Sequence, residues 1–124
     1  MDLSLVKRTA EMFGRAYKIS KQKEISLAFI GDAEMKKINQ AYRGLNQATD
    51  VLAFSGEGNY LGEILIDYSQ IRRQAGRYNS SAKKEMVFIL VHGLLHLIGY
   101  DDKTETDRIK MINLGEEFVK KLKL

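Results

Sequence analysis

Residues 86–102 read MVFILVHGLLHLIGYDD, from Met86 to Asp102. Met86 to Ile98 is apolar on nearly all sides, so it reads as a buried helix. It is too short for a membrane span and is broken by His92, Gly93 and His96. Gly99 can close the helix in a left-handed turn. The chain then reverses and can carry Asp101 or Asp102 back over the helix end.

The hydrophobic pattern on either side assigns the other elements. Ser80-Ser81 starts the His-bearing helix, and Tyr68 to Tyr78 reads as another helix before it. Leu3, Val6, Ala10, Phe13 and Tyr17 step by three and four, an apolar helical stripe. Ile25, Leu27 and Phe29 alternate, so Glu24 to Ile30 is a strand. Gly31-Asp32 ends it, and Asp32 is placed to cap a helix carrying Met35, Ile38 and Tyr42 on one side, with Gly44 as its stop. Asp50 to Ser55 and Gly62 to Asp67 are two strands around a Gly/Asn turn, which suggests an antiparallel pair. The helix between the first and second strands suggests a parallel crossover. Thr104 opens the last helix, striped by Met111, Leu114, Phe118 and Leu122. The order α-β-α-β-β-α-α-α predicts one α+β domain over residues 1–124, a small mixed sheet of three to four strands packed with about five helices.

Composition bounds the function. A length of 124 residues suits a single domain, and 44 % hydrophobic residues exclude a disordered chain. With no cysteine, a disulfide scaffold, an iron–sulfur protein, a Cys-type zinc finger and a thiol nucleophile are excluded. The net charge of +4 is compatible with a polyanionic partner. Met1-Asp2-Leu3 offers no basic signal-peptide start, so a soluble cytoplasmic protein is expected.

The only two histidines stand at His92 and His96. Residues i and i+4 share a helix face and can grip one ion, and neutral imidazole is a good ligand for zinc and its neighbours. The competing reading is two core histidines bonded to backbone; for a pair at this spacing, metal is favoured. Two histidines plus a carboxylate from the following loop form a recurrent three-ligand set with open positions. Capping of the helix near Thr104 is the other use for Asp101 and Asp102. The position after the first histidine, which holds the general base in H-E-x-x-H metalloproteases, is Gly93, and this counts against peptide hydrolysis.

The run His92-Gly93-Leu94-Leu95-His96-Leu97-Ile98-Gly99-Tyr100-Asp101 resembles the signature H-G-x-L-H-L-x-G-Y-D-H of the YbeY endoribonuclease family. Asn39-Gln40-Ala41-Tyr42-Arg43 is similar to the family's N-x-x-x-R segment, Thr49-Asp50-Val51-Leu52-Ala53-Phe54 to T-D-V-L-S-F, and Leu61-Gly62-Glu63-Ile64 to L-G-D-I. Glu85, seven before His92, matches an acid often found there. The resemblance spans residues 24–118. It implies a metal-dependent endoribonuclease that processes ribosomal RNA, notably the 3′ end of the small-subunit RNA, and serves ribosome quality control. It also implies a zinc-type site of three histidines and an essential arginine. On this sequence the first two ligands fall on His92 and His96, and the arginine on Arg43. The third falls on Asp102, where the family has histidine. The edge strand with which the family usually opens is expected to be missing or remodelled here.

The predicted chemistry is metal-assisted phosphodiester hydrolysis by one divalent ion, zinc first, with Arg43 and His92 as catalytic residues. His92, His96 and Asp102 are the expected ligands. Asn39 is expected to orient Arg43 or bond substrate, and Glu85 and Asp101 to act around the ligands. RNA and the ribosome are the expected partners, with no membrane and no DNA. Lys36, Lys37, Arg72, Arg73, Arg77, Lys83 and Lys84 offer phosphate contacts, most of them serving as solvated helix faces. No aromatic-rich RNA-binding signature is present. The alternatives are a hydrolase of another substrate, peptide or phosphoester, and a non-catalytic ribosome-associated module.

Overall fold

The computed structural model describes residues 2–124. Its elements run α1 (Leu3–Ala16), β1 (Glu24–Ile30), α2 (Asp32–Arg43), β2 (Val51–Ser55), β3 (Tyr60–Asp67), α3 (Tyr68–Arg77), α4 (Ala82–Leu97) and α5 (Glu105–Leu122), the order expected from the sequence.

The sheet has the order β1-β3-β2. β2 and β3 pair antiparallel, as their Gly/Asn turn predicts. The parallel partner of β1 is β3, so the crossover through α2 does not lead to a parallel neighbour. Instead α2 carries the chain across one sheet face to the far edge, and the β2–β3 turn brings β3 back into the middle. Burial explains the choice. Ile64, Leu65 and Ile66 are consecutive and all buried, so β3 needs cover on both faces and both edges. β2 is left as an edge strand.

α4 lies on one face of the sheet. Val87, Leu90, Val91 and Leu95 are fully buried there with Ile64, Ile66, Ile71 and, from α5, Met111. Gly93 allows this proximity: a Cβ there would stand 3.1 Å from Ile64 Cγ2 and 3.4 Å from Val51 Cγ2. α1 joins the same face through Phe13, which stacks on Tyr17 at 4.5 Å and packs against Phe118. α2 covers the opposite face with Met35, against Leu52 and Leu65.

Two local expectations about α2 are corrected. Asp32 is not its cap: Gly31 is, without a side-chain bond, and the Asp32 carboxylate takes both ends of the Arg73 fork at 2.8 and 3.0 Å. Tyr42 does not continue the buried stripe. Met35 is 0 % exposed, whereas Tyr42, near the helix end, is 71 % exposed. Among the described residues no helix is long and apolar enough to cross a membrane.

Candidate metal centre

α4 starts with Ser81, whose hydroxyl accepts from the Lys84 N–H at 3.1 Å. It ends in a tight reversal at Gly99, with φ of +105°. There the Tyr100 N–H donates to the Leu95 carbonyl at 3.0 Å and the Gly99 N–H to the His96 carbonyl at 3.1 Å, a Schellman closure. The reversal folds residues 100–104 back over the last turn of the helix. Thr104 caps α5 by accepting from the Asp107 N–H. Capping therefore does not occupy Asp101 or Asp102. Asp101 closes a local turn by accepting from the Lys103 N–H, and is exposed. Asp102 turns toward the histidines.

His92 Nε2 and His96 Nε2 are 3.2 Å apart. Asp102 Oδ2 stands 3.6 Å from the first and 3.8 Å from the second. Ligands held at about 2.0–2.1 Å in a tetrahedron are separated by about 3.4 Å, so this donor set fits a single first-row divalent ion. Burial, and then the neighbouring His96, hold the His92 imidazole below its ordinary value, against the pull of Asp102 and Asp50. That keeps it neutral, the form that binds metal. The side chains are 21 %, 29 % and 44 % exposed for His92, His96 and Asp102, so the set faces solvent on one side and is not sealed.

The three donors open into a cleft of about 500 Å³ that also receives Arg43, Thr49, Asp50 and the edge strand β2 from Val51 to Ala53 and at Ser55. Arg43 is exposed and has no carboxylate partner among the described residues. It enters the cleft because Gly44, with φ of +70°, ends α2 at that point.

Two expected members stand elsewhere. Asn39 is fully buried, and its amide donates to the Gln47 carbonyl at 2.8 Å. It ties down the loop that follows Arg43 and does not line the cleft. Glu85 is half-buried about two turns before His92 in α4. Gln74 Nε2 lies 3.2 Å from Glu85 Oε1 and 3.2 Å from Asp50 Oδ2, so one amide bridges the two carboxylates. Burial pushes the Glu85 carboxyl up, Gln74 opposes this, and Asp50 adds to the rise. Asp50 and Gln74 were not singled out in the sequence. Asp50 stands in the Thr49–Phe54 segment, where its position was legible and its role was not. Gln74 carries no sequence signal of its own. Of the basic residues, Arg73 is engaged by Asp32, and Lys83 stands 3.8 Å from Asp2.

Comparison with known proteins identifies the family. A family profile described as Endoribonuclease YbeY matches residues 2–123. A protein of Syntrophomonas wolfei named Endoribonuclease YbeY is 33 % identical over 134 aligned residues, covering 97 % of this chain and 86 % of its own. One from Finegoldia magna with the same name is 40 % identical over 105 residues, covering 80 % of this chain and 69 % of its own. The solution structure of a Thermotoga maritima protein superposes with a TM-score of 0.66 at 25 % identity, over 94 % of this chain and 79 % of that one. By profile and by overall match to these relatives, the chain belongs to the Endoribonuclease YbeY family.

Proposed function

We propose that this chain is a metal-dependent endoribonuclease of single-stranded ribosomal RNA, acting at the 3′ end of the small-subunit RNA and in ribosome quality control in the cytoplasm, as a single catalytic domain. The observation that carries the reading is the meeting of His92, His96 and Asp102 at the wall of a cleft that also holds the unpaired Arg43.

In this reading His92, His96 and Asp102 hold one divalent ion, zinc first. Such an ion, when bound, withdraws charge from a phosphate oxygen and acidifies water. The remaining work falls to the chain. His92 stays neutral and keeps Nε2 available. Asp102 adds a negative charge that a third histidine would not, which draws the metal preference toward harder ions such as manganese. Arg43 offers a planar, permanently charged fork to the phosphate that gains charge as the bond breaks. Gln74 Nε2, 3.2 Å from Asp50 Oδ2, fixes that carboxylate where it lines the cleft beside the metal-binding set.

Peptide hydrolysis is disfavoured by a specific contact. Gly93 occupies the place of the metalloprotease base and is pressed onto Ile64 and Val51, so no carboxylate fits there. A purely structural ion is disfavoured by the open side of the donor set. The test is metal analysis joined to RNA cleavage on wild type and His96→Ala. Stoichiometric metal and cleavage in the first, with loss of both in the second, support the reading. Metal without cleavage of any RNA overturns it.

A further inference from the structure

Across the edge strand β2 from the cleft, on the sheet face that α2 covers, stands an aromatic ledge. Tyr42 is 71 % exposed, and its ring meets Phe54 edge-on, with centroids 5.0 Å apart and planes at 61°. Two stretches of chain place this pair next to the rim of the cleft, beyond the β2 edge. Tyr42 directly precedes Arg43, which lines the cleft, while Phe54 alternates along β2 with Ala53 and Ser55, so its ring turns to the sheet face that α2 covers and neither ring lines the cleft itself. Phe54 is itself packed among Met35, Leu52 and Leu65, so it braces the tyrosine from below. A single exposed aromatic residue needs no explanation. An exposed ring fixed by a second ring, one residue from the only arginine in the cleft, is a different arrangement.

We propose that Tyr42, braced by Phe54, is the stacking platform for one unpaired base of the RNA strand whose phosphate Arg43 holds. The proposal rests on the nuclease reading above and adds a base subsite to it. A base in a duplex is already stacked and cannot lie on this ring, whereas every base of a single strand presents a free π-face. The subsite therefore selects unpaired RNA without reading its sequence. No side-chain amide or carboxylate is needed for this, which suits a ledge made of two rings.

The test uses the full chain with its metal and a short single-stranded oligonucleotide protected from cleavage by 2′-O-methylation and phosphorothioate linkages. A matched strand lacking bases serves as comparison. Tyr42→Ala is expected to weaken binding of the base-bearing strand about tenfold and to leave the abasic strand unaffected. Tyr42→Phe, which keeps the ring, recovers the affinity. Tyr78→Ala removes a ring that is 74 % exposed outside the cleft and changes neither. The sequence contains no tryptophan, so Tyr42→Trp provides a single reporter whose fluorescence the base-bearing strand quenches and the abasic strand does not. Equal affinity in Tyr42→Ala and wild type, or equal losses on both strands, overturns the platform while leaving nuclease activity standing. Wild type that neither binds nor cuts RNA overturns both proposals together.

Discussion

Asp102 Oδ2 reaches His92 Nε2 at 3.6 Å and His96 Nε2 at 3.8 Å, so the carboxylate sits almost symmetrically between two imidazoles from successive turns of α4. It comes from a loop, and Thr104 takes over the capping that would otherwise hold it. At the last position of the motif, where the family pattern reads histidine, this chain therefore carries a carboxylate.

Asp102→Ala is expected to weaken metal binding at least roughly 100-fold, because a lost ligand costs no less than a lost supporting contact. Asp101→Ala, which removes only a turn bond to Lys103, should change it little. Asp102→His should keep the ion and shift preference from manganese toward zinc. Competition with a chromophoric chelator measures all three. Asp102→Ala binding as tightly as wild type would remove Asp102 from the ligand set.

Arg43 is exposed and has no carboxylate partner among the described residues, so the fold has little to lose with it. Arg43→Ala should melt near the wild-type temperature and lose roughly 100-fold in RNA cleavage. Arg43→Lys should recover only part of this, since a point charge does not replace a planar fork. Paired melting curves and single-turnover cleavage separate the two effects, and full activity in Arg43→Ala would refute its role.

Gln74 shields two carboxylates from each other. Gln74→Leu leaves both without their donor and should cost about 1–3 kcal/mol. Glu85 is already raised by burial, and removing the amide that lowers it raises it further. A raised carboxyl favours folding while protonated and loses that contribution as pH rises through its folded value. The defect should therefore be larger at pH 8 than at pH 5. Denaturant titrations at the two pH values check this; a defect independent of pH would show that the bridge matters only as packing.

Asp67 is fully buried at the end of β3, with Oδ1 accepting from the Gln70 N–H and Oδ2 unpartnered. Burial, then the neighbouring Asp32, push it above its ordinary 3.8. Its contribution to stability is complete below that ordinary value and is lost as pH rises through the folded one. Asp32 behaves oppositely. Held down to about 2 by Arg73, it contributes above its ordinary value and fades as pH falls toward 2. Asp67→Asn keeps the helix cap and removes the buried charge. It should raise the melting temperature at neutral pH by roughly 3–5 °C, with no gain in acid, where Asp67 is protonated already. A lower melting temperature at pH 7 would contradict the buried charge.

Much of the fold was legible because its signals are local. Apolar periods marked α1, β1, α2 and α5, apolar runs and turn residues marked the rest, and the spacing of His92 and His96 on an apolar helix marked the site. Ser81 announced a helix start through its capping hydroxyl, and Gly44 and Gly99 announced helix ends through a positive φ that few other residues adopt as readily. Asp102 was legible as a ligand position only through the motif, since a carboxylate after a helix serves equally as a cap.

Strand order was not legible, because it is a contest between strands for cover. β3 took the centre since its three consecutive apolar residues needed it, and this put β2 at the edge facing the histidines. The companions of Arg43 were decided the same way. Asn39, one turn away on the same helix, went into the core, while Asp50 and Gln74, 24 residues apart, met beneath the cleft. Sequence by itself determined the elements, their ends and the two imidazole ligands, all of which depend on neighbours within a few residues. Tertiary structure alone decided which polar groups share the cleft and which aromatic ring stands free beside it, because those outcomes depend on how closely α4 can approach the sheet at Gly93 and on what α2 leaves uncovered.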